Sequence, residues 1–162
     1  MADPEKTERV WDIVEKVGVA MLTTRFPAGL RARPLEARPD RDAGIIWFLT
    51  DARSAKDPEI ETEPDVGLVF VDPKERIYLS LTARASLQHD VSRQHQIWKA
   101  SDRMWWEGPE DPNLRVLRVE PHLAELWDGP SSTAAVIYEI AKARITGEKP
   151  KLGENRKSTI KL

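Results

Sequence analysis

The chain contains no cysteine, and that single absence removes several kinds of chemistry. Disulfide bonds, a thiol nucleophile and a thiolate metal site are all excluded, and a chain without disulfides is compatible with the cytoplasmic location that we predict. Histidine is scarce as well, because only His89, His95 and His122 occur and they are scattered along the sequence. We therefore predict no metal site.

The sequence also lacks an excess of charge of either sign. Lys and Arg number 25 against 27 Asp and Glu, so the net charge is −2 and no overall field attracts nucleic acid or an anionic membrane. No apolar run approaches the roughly 20 residues that cross a bilayer, and the opening MADPEKTERV is too polar for a secretory signal. We expect neither a nucleic-acid partner nor a membrane.

What the chain does have is enough length and apolar content for one folded domain. Its 162 residues are 40% hydrophobic and 32% charged, which predicts a single globular domain over 1–162, with the basic tail 146–162 loosely held. Six tryptophans stand out within this composition, and rings of that size fill a core, an interface or a site for a flat ligand. They are Trp11, Trp47, Trp98, Trp105, Trp106 and Trp127.

Apolar periodicity predicts about seven short strands, joined mostly by turns, with helices at the start, in the middle and at the end. This order favours a mainly β (α+β) fold: an antiparallel barrel or sandwich with short peripheral helices. A proline within the strand 30–38 indicates an edge strand or a bulge. The predicted strands are 19–25, 30–38, 45–50, 66–71, 76–87 and two within 114–129, broken at Pro121; helices follow Asp3-Pro4, lie within 51–65, run from Asp90 to about Ala100 and follow Ser131 or Ser132.

No serine elbow, Walker loop or dinucleotide-binding glycine run is present, so no catalytic residue can be named. The segment 31–56 is richer in chemistry. Arg31 and Arg33 share one face of a strand and can converge on a single anion, while Thr50, Ser54 and Lys56 follow with hydroxyls and a point charge. Such a set suits a phosphate monoester; the alternative is a solvated basic edge strand that opposes aggregation.

The order of short motifs carries a family resemblance over nearly the whole chain. Its pieces are Arg33-Pro34-Leu35, the strand Ile46–Thr50, Ser54-x-Lys56 followed by Glu59-Ile60, Asp72-Pro73, Tyr78–Leu81, Asp111-Pro112 and Trp127-Asp128. In this order and spacing they resemble the pyridoxamine 5′-phosphate oxidase-like flavoproteins with the split-barrel FMN-binding fold, in their general-stress-protein branch. Ala83 departs from the glycine usual in that branch.

The resemblance implies a homodimer that holds FMN, or alternatively FAD, at the subunit interface. It assigns the phosphate to Arg33 and Lys56 and hydrogen bonds to Thr50 and Ser54. Backbone near Pro34, Leu35, Trp47 and Phe48 is expected to face the isoalloxazine ring or ribityl chain, and Trp127 to approach from the partner subunit. Trp98, Trp105 and Trp106 are expected to pack at the dimer seam, to cover the edge of the cofactor or to cap the barrel, and the seam is favoured.

The implied function is an FMN-binding protein with a redox role, as in an FMN-dependent oxidoreductase, whose substrate and electron donor the sequence does not identify. Two alternatives stay open. One is a non-catalytic flavin carrier or sensor, in which the cofactor stabilises the dimer. The other is a dimeric split-barrel protein that binds no flavin, since fold alone does not decide catalysis.

Overall fold

The computed structural model describes residues 3–53, 56–128, 133–147 and 156–162. Four α-helices and eight strands follow one another along these residues, with one 3₁₀ helix. They are α1 (Pro4–Val17), β1 (Val19–Phe26), β2 (Gly29–Glu36), β3 (Arg38–Asp40), β4 (Ile45–Asp51), α2 (Lys56–Thr62), β5 (Asp65–Asp72), β6 (Ile77–Gln88), α3 (Val91–Ile97), the 3₁₀ helix Ala100–Met104, β7 (Leu114–Asp128), α4 (Thr133–Thr146) and β8 (Arg156–Lys161).

The first helix begins and ends as its sequence predicts. Asp3 is the N-cap and accepts a hydrogen bond from the backbone N–H of Lys6, and proline occupies the first turn, where its missing N–H is not needed. Gly18 ends α1 in the left-handed conformation (φ 72°), which glycine adopts without steric cost. The apolar side of α1 then packs into the core through Val10, Trp11, Ile13 and Val14.

The strands form one antiparallel sheet in the order β2-β1-β5-β6-β7-β4-β3. β7 pairs with β6 along one edge, and its other edge is shared by β4 at Leu114–Val119 and by β8 at Leu123–Asp128. β2 lies at one end of the order, which confirms the edge strand predicted from Pro34. The architecture is the mainly β split barrel with short peripheral helices that the sequence predicts.

Side chains alternate across this sheet between a buried and an exposed face. Leu22, Leu68, Leu81 and Ala124 lie opposite one another on four neighbouring strands, and each is at most 1% exposed. Full burial of each such leucine contributes about 1.5–3 kcal/mol to the hydrophobic term. The row is the centre of the main core, which holds the barrel strands in a fixed register.

Two sequence predictions about the C-terminal part are wrong. Residues 114–128 form one continuous strand because Pro121 is accommodated at a β-bulge: Thr82 pairs with Leu123 and Ala83 with Pro121, so His122 is the extra residue. The tail was expected to be loosely held, but residues 156–161 pair with β7 and Ile160 is buried in the core. Ile160 in the core and Leu162 packed against it hold this short strand to the barrel.

The middle of the chain differs in a smaller way. Asp90 caps α3 through the N–H of Arg93, as predicted. The helix ends at Ile97, however, and the chain continues into the 3₁₀ helix Ala100–Met104. The predicted caps Ser131 and Ser132 lie outside the described residues.

Candidate functional site

The candidate site is a cleft at the split of the barrel, between β2 and β4. β2 is the last strand on its side of the sheet, and β3 pairs only with the Ile45–Trp47 part of β4. The remainder of β4 therefore faces β2 across a cavity of about 590 Å³, within the usual range for a small-molecule site. Its walls are Val19, Pro34, Leu35, Glu36, Arg38, Leu49, Thr50, Asp51, Arg53, Asp102, Trp105 and Trp106.

The two strand edges give the cleft its binding chemistry. An edge strand presents backbone N–H and C=O groups on the side where it has no neighbouring strand. A flat ligand with its own carbonyl and N–H groups can pair with such edges, much as an added strand does. The cleft thus combines apolar walls with backbone donors and acceptors at fixed spacing.

The charged side chains around the cleft are matched in pairs. Arg38 donates to Asp102 at 2.6 Å, and both side chains are buried, at 7% and 6% exposure. Lys99 pairs with Glu36, and Arg53 pairs with Asp51 at 2.6 Å. Because each positive charge has a negative partner, the walls of the cleft suit an uncharged ring better than an ion.

Asp51 stays ionised at neutral pH. The hydrogen bond from the Arg53 guanidinium lowers the pKa of the Asp51 carboxyl to about 2, and the Arg53 backbone N–H also donates to it. A carboxyl with so low a pKa does not serve as a proton donor near pH 7. Asp51 therefore helps to shape the cleft and does not act as a general acid.

Asp102 fixes two tryptophans at the cleft. Its carboxylate accepts from the backbone N–H of Lys99, and its carbonyl accepts from the N–H groups of Trp105 and Trp106 at 2.9 and 3.1 Å. Trp105 is 73% exposed. Both rings line the cleft, and their expected place at a dimer seam stays a prediction. The aromatic pair was visible in the sequence, but nothing there shows that Asp102 meets Arg38, which lies 64 positions earlier.

A second polar group lies where α2 packs on the hairpin of β1 and β2. We call Thr24, Arg31, Arg33 and Glu59 the Glu59 clasp. Glu59 Oε2 accepts from the Thr24 hydroxyl at 2.6 Å and from Arg33 Nη2 at 2.7 Å, while Oε1 pairs with Arg31 Nη1 at 3.2 Å. The two arginines converge on one anion, as their spacing predicts, and in this structure that anion is the carboxylate of Glu59.

Glu59 is ionised despite its burial. Burial by itself raises the pKa of this carboxyl, but the Thr24 hydroxyl and the Arg33 and Arg31 guanidinium groups outweigh burial, so the pKa of Glu59 lies below its usual value. Two cations against one carboxylate leave the clasp with one net positive charge. Arg33 keeps a spare donor, because its buried Nε has no hydrogen-bond partner among the described residues.

The clasp is open to solvent on one side. Arg31 and Glu59 line a cavity of about 730 Å³ at the tip of the β1–β2 hairpin. There the Arg31 guanidinium lies 4.5 Å from the centre of the Phe26 ring, a cation–π contact. An anion in solution can therefore approach the clasp.

The side chains of Trp47 and Phe48 point to opposite sides of β4. The sequence analysis expects the backbone near these two residues to face the ligand. Trp47 packs in a small apolar cluster with Leu49 and Leu114, and Arg93 lies 4.4 Å over its ring. Phe48 points to the opposite side and is fully buried in the main core. Neither side chain lines the cleft, so any contact with a ligand there is through the strand.

The other predicted residues fall in different places. Pro34, Leu35 and Thr50 line the cleft, and Ser54 lies outside the described residues. Lys56 is the first residue of α2. No group of three or more His, Asp or Glu side chains suited to a metal occurs in the part of the chain that the structure describes.

Trp127 lies far from the cleft of its own chain. It pairs with Tyr78 and Lys157, whereas Thr50 pairs with Arg115 of the same long strand, β7. Twelve residues separate Trp127 from Arg115, which is about 40 Å of strand at about 3.3 Å per residue. Trp127 is accordingly not among the residues that line the cleft of its own chain.

The antiparallel sheet, with a cleft between β2 and β4 and short peripheral helices, defines a protein of the split-barrel class. A family model described as "Pyridoxamine 5'-phosphate oxidase like" matches residues 5–151. The chain belongs to the pyridoxamine 5′-phosphate oxidase-like family, as its motifs indicate.

Relatives place the chain near the general stress proteins. General stress protein 26 of Bacillus subtilis (strain 168) is 26% identical over 95 residues, which cover 57% of this chain and 68% of that protein. A solved structure of the general stress protein 26 type from Jannaschia sp. CCS1 has a TM-score of 0.77 and 28% identity, with 98% of this chain and 99% of that chain covered. The general stress FMN/FAD binding protein from Xanthomonas citri has a TM-score of 0.71 and 26% identity, covering 80% and 93%.

Proposed function

We propose that the chain is a flavoprotein that binds FMN in the cleft between β2 and β4 and serves a redox role. The observation that carries the proposal is the pair of free strand edges facing a cavity of about 590 Å³ whose charged side chains are matched. Such walls fit the uncharged ring of a flavin. The general stress FMN/FAD binding protein from Xanthomonas citri, 26% identical to this chain, supports a flavin as the ligand.

The phosphate belongs near Arg33 and Lys56 in this proposal. The clasp holds one net positive charge, Arg33 Nε is a donor with no described partner, and Lys56 begins the helix that carries Glu59. Thr50, which lines the cleft, is a hydroxyl donor in this proposal, as the family resemblance implies for it and for Ser54. A phosphate monoester is a strong acceptor that favours such cationic donors over neutral ones.

The chain's own part in the chemistry is to bind and orient the ring and to limit water at its faces. A bound flavin supplies the electron transfer itself. In this proposal the β2 edge near Pro34 and Leu35 and the β4 edge near Phe48 provide backbone groups, of which proline gives a carbonyl only. Trp105, which lines the cleft, provides an aromatic wall. No described helix is both long and apolar enough to span a membrane.

We further propose that two copies assemble through the exposed face of the sheet, as the family resemblance implies. Val69, Val71, Tyr78 and Met21 are 37–40% exposed, and the pairings of Met21 with Val69, Val71 with Tyr78 and Tyr78 with Trp127 place them on one face. Exposed apolar residues that adjoin in this way are typical of an interface. Trp127 belongs to this face, so a second chain is the route by which it would reach a flavin.

A flavin carrier or sensor is the second candidate, and one observation favours it. The ionisable residues of the described cleft wall, Glu36, Arg38, Asp51, Arg53 and Asp102, are all held in ion pairs. None of them is positioned as a proton donor. Mixing the FMN-loaded protein with a nicotinamide donor distinguishes the two: reduction over many turnovers supports an oxidoreductase, and stable oxidised flavin supports a carrier.

Removal of both proposed phosphate contacts tests the site. Arg33→Ala with Lys56→Ala should weaken FMN binding by about a hundredfold or more, since each charge-assisted hydrogen bond contributes about 1.5–3 kcal/mol. Isothermal titration calorimetry measures the dissociation constant. The matched control is Lys74→Ala with Arg84→Ala, which removes the same charge from exposed positions. Equal FMN affinity in the two double variants would overturn the site assignment.

A further inference from the structure

Glu59 holds Arg33 in a specific way. The Glu59 carboxylate and the Thr24 hydroxyl both contact one nitrogen of Arg33, Nη2, at 2.7 and 2.8 Å. Thr24 and Glu59 are buried, and the Arg33 side chain is 17% exposed. Nε of the same guanidinium group has no hydrogen-bond partner among the described residues.

We infer that Glu59, with Thr24, is a positioning residue for phosphate binding: together they grip Arg33 by Nη2 and leave its other N–H groups for the flavin phosphate. This inference rests on the proposed function. An arginine that is already held loses little side-chain freedom when it binds an anion, so its contacts gain affinity.

The charge balance explains why the Glu59 carboxylate lies beside the proposed phosphate site. Arg33 is mostly buried, and a buried guanidinium without a partner is strongly disfavoured. Glu59 supplies that partner, while Arg31 adds a second positive charge on the opposite carboxylate oxygen, Oε1. The clasp therefore stays net positive with Glu59 ionised, and Arg33 stays in place when no phosphate is bound.

The alternative is that Glu59 only fastens α2 to the hairpin, or that it competes with phosphate for Arg33. These alternatives predict different affinities for two ligands that share the isoalloxazine ring, FMN and riboflavin. FMN carries the phosphate and riboflavin lacks it, so the ratio of their dissociation constants isolates the phosphate contribution. A purely structural role changes both affinities together or neither.

The test measures FMN and riboflavin binding to the unaltered chain, Glu59→Gln and Thr24→Val by fluorescence titration. We expect Glu59→Gln to weaken FMN binding about tenfold, because Arg33 then loses the charged partner that fixes its orientation. Riboflavin binding should change less than about twofold. Thr24→Val should shift the ratio in the same direction by a smaller factor, and Thr24→Ser should restore it.

Each other result has a definite meaning. Unchanged or tighter FMN binding by Glu59→Gln overturns the inference while leaving the proposed function intact, and tighter binding identifies Glu59 as a competitor. Equal losses for FMN and riboflavin show a structural role alone and also overturn it. If Glu59→Gln does not fold, as circular dichroism would show, Thr24→Val and Thr24→Ser decide. An unaltered chain that binds neither ligand overturns the proposed function and this inference together.

Discussion

The clasp and the cleft wall each contain an arginine–carboxylate pair, and the two pairs differ in how their charges balance. Arg38 and Asp102 meet at 2.6 Å in the cleft wall, and Arg33 and Glu59 meet at 2.7 Å in the clasp. Asp102 has one arginine, whereas Glu59 has two. The cleft pair is therefore neutral, and the clasp carries one net positive charge.

The difference shows how one chemical pair can serve two purposes. In the cleft, the Arg38–Asp102 pair joins β3 to the 3₁₀ helix and so fixes the wall that holds Trp105 and Trp106. In the clasp, the surplus arginine leaves charge for an anion. The ligand that we propose, FMN, has an uncharged ring for the first region and a phosphate group for the second.

The largest effect is expected when the cleft pair is broken. Asp102→Ala leaves Arg38 buried without its close, buried partner and with only the exposed Glu36 at 3.6 Å, which should lower the free energy of unfolding by about 3–5 kcal/mol. Urea denaturation followed by tryptophan fluorescence measures the change. Glu36→Ala removes an exposed partner of Arg38 and Lys99, and its effect should stay below about 1 kcal/mol. Equal losses for the two variants would show that the buried pair does not anchor the wall.

The clasp should respond less, and its response should depend on pH. Glu59→Gln is expected to lower the free energy of unfolding by about 1–3 kcal/mol at pH 7, since it weakens bonds to buried donors. The folded pKa of Glu59 lies below its usual value of 4.5, so the stabilisation is present above about pH 4.5 and is lost as the pH falls through the folded pKa.

Urea unfolding of both proteins at pH 7 and at successively lower pH measures this dependence. The difference in unfolding free energy between the two proteins should narrow below pH 4.5, the usual pKa of the carboxyl. If this difference in unfolding free energy stays constant as the pH is lowered, the shape of the Glu59 side chain, and not its charge, accounts for its effect.

The smallest change is expected at the rim of the cleft. Arg53→Ala removes the main cause of the low pKa of Asp51, so that pKa should rise from about 2 toward its usual value of 3.8. Arg53 is largely exposed and solvent screens its pair with Asp51, so the loss of unfolding free energy at neutral pH should be small, about 1 kcal/mol or less. Carboxyl chemical shifts followed by NMR through an acid titration measure the pKa. An Asp51 pKa that stays near 2 would assign its low value to the backbone instead.

The sequence predicts the local features of the two regions, but it does not predict contacts between residues that lie far apart in the chain. Alternation in Ile77, Leu79 and Leu81, the caps of α1 and the shared face of Arg31 and Arg33 all follow from short-range geometry, and the structure confirms them. The identity of the anion does not follow, because Glu59 reaches the arginines only when α2 folds onto the hairpin.

The cleft was harder to foresee for the same reason. Its wall depends on Arg38 meeting Asp102 across 64 positions, and no periodicity encodes that contact. The tail strand β8 contains few apolar side chains, so its pairing with β7 depends on a free edge that is itself a product of the fold. Flavin binding at this cleft remains the central prediction.

The visible absorption spectrum of the purified protein, recorded after FMN is added and the sample is desalted, tests that prediction most directly. We predict that flavin absorbance is retained at about one FMN per chain, as a single cleft per chain requires. A protein that emerges colourless from the desalting column would contradict flavin binding and leave a split barrel with another ligand.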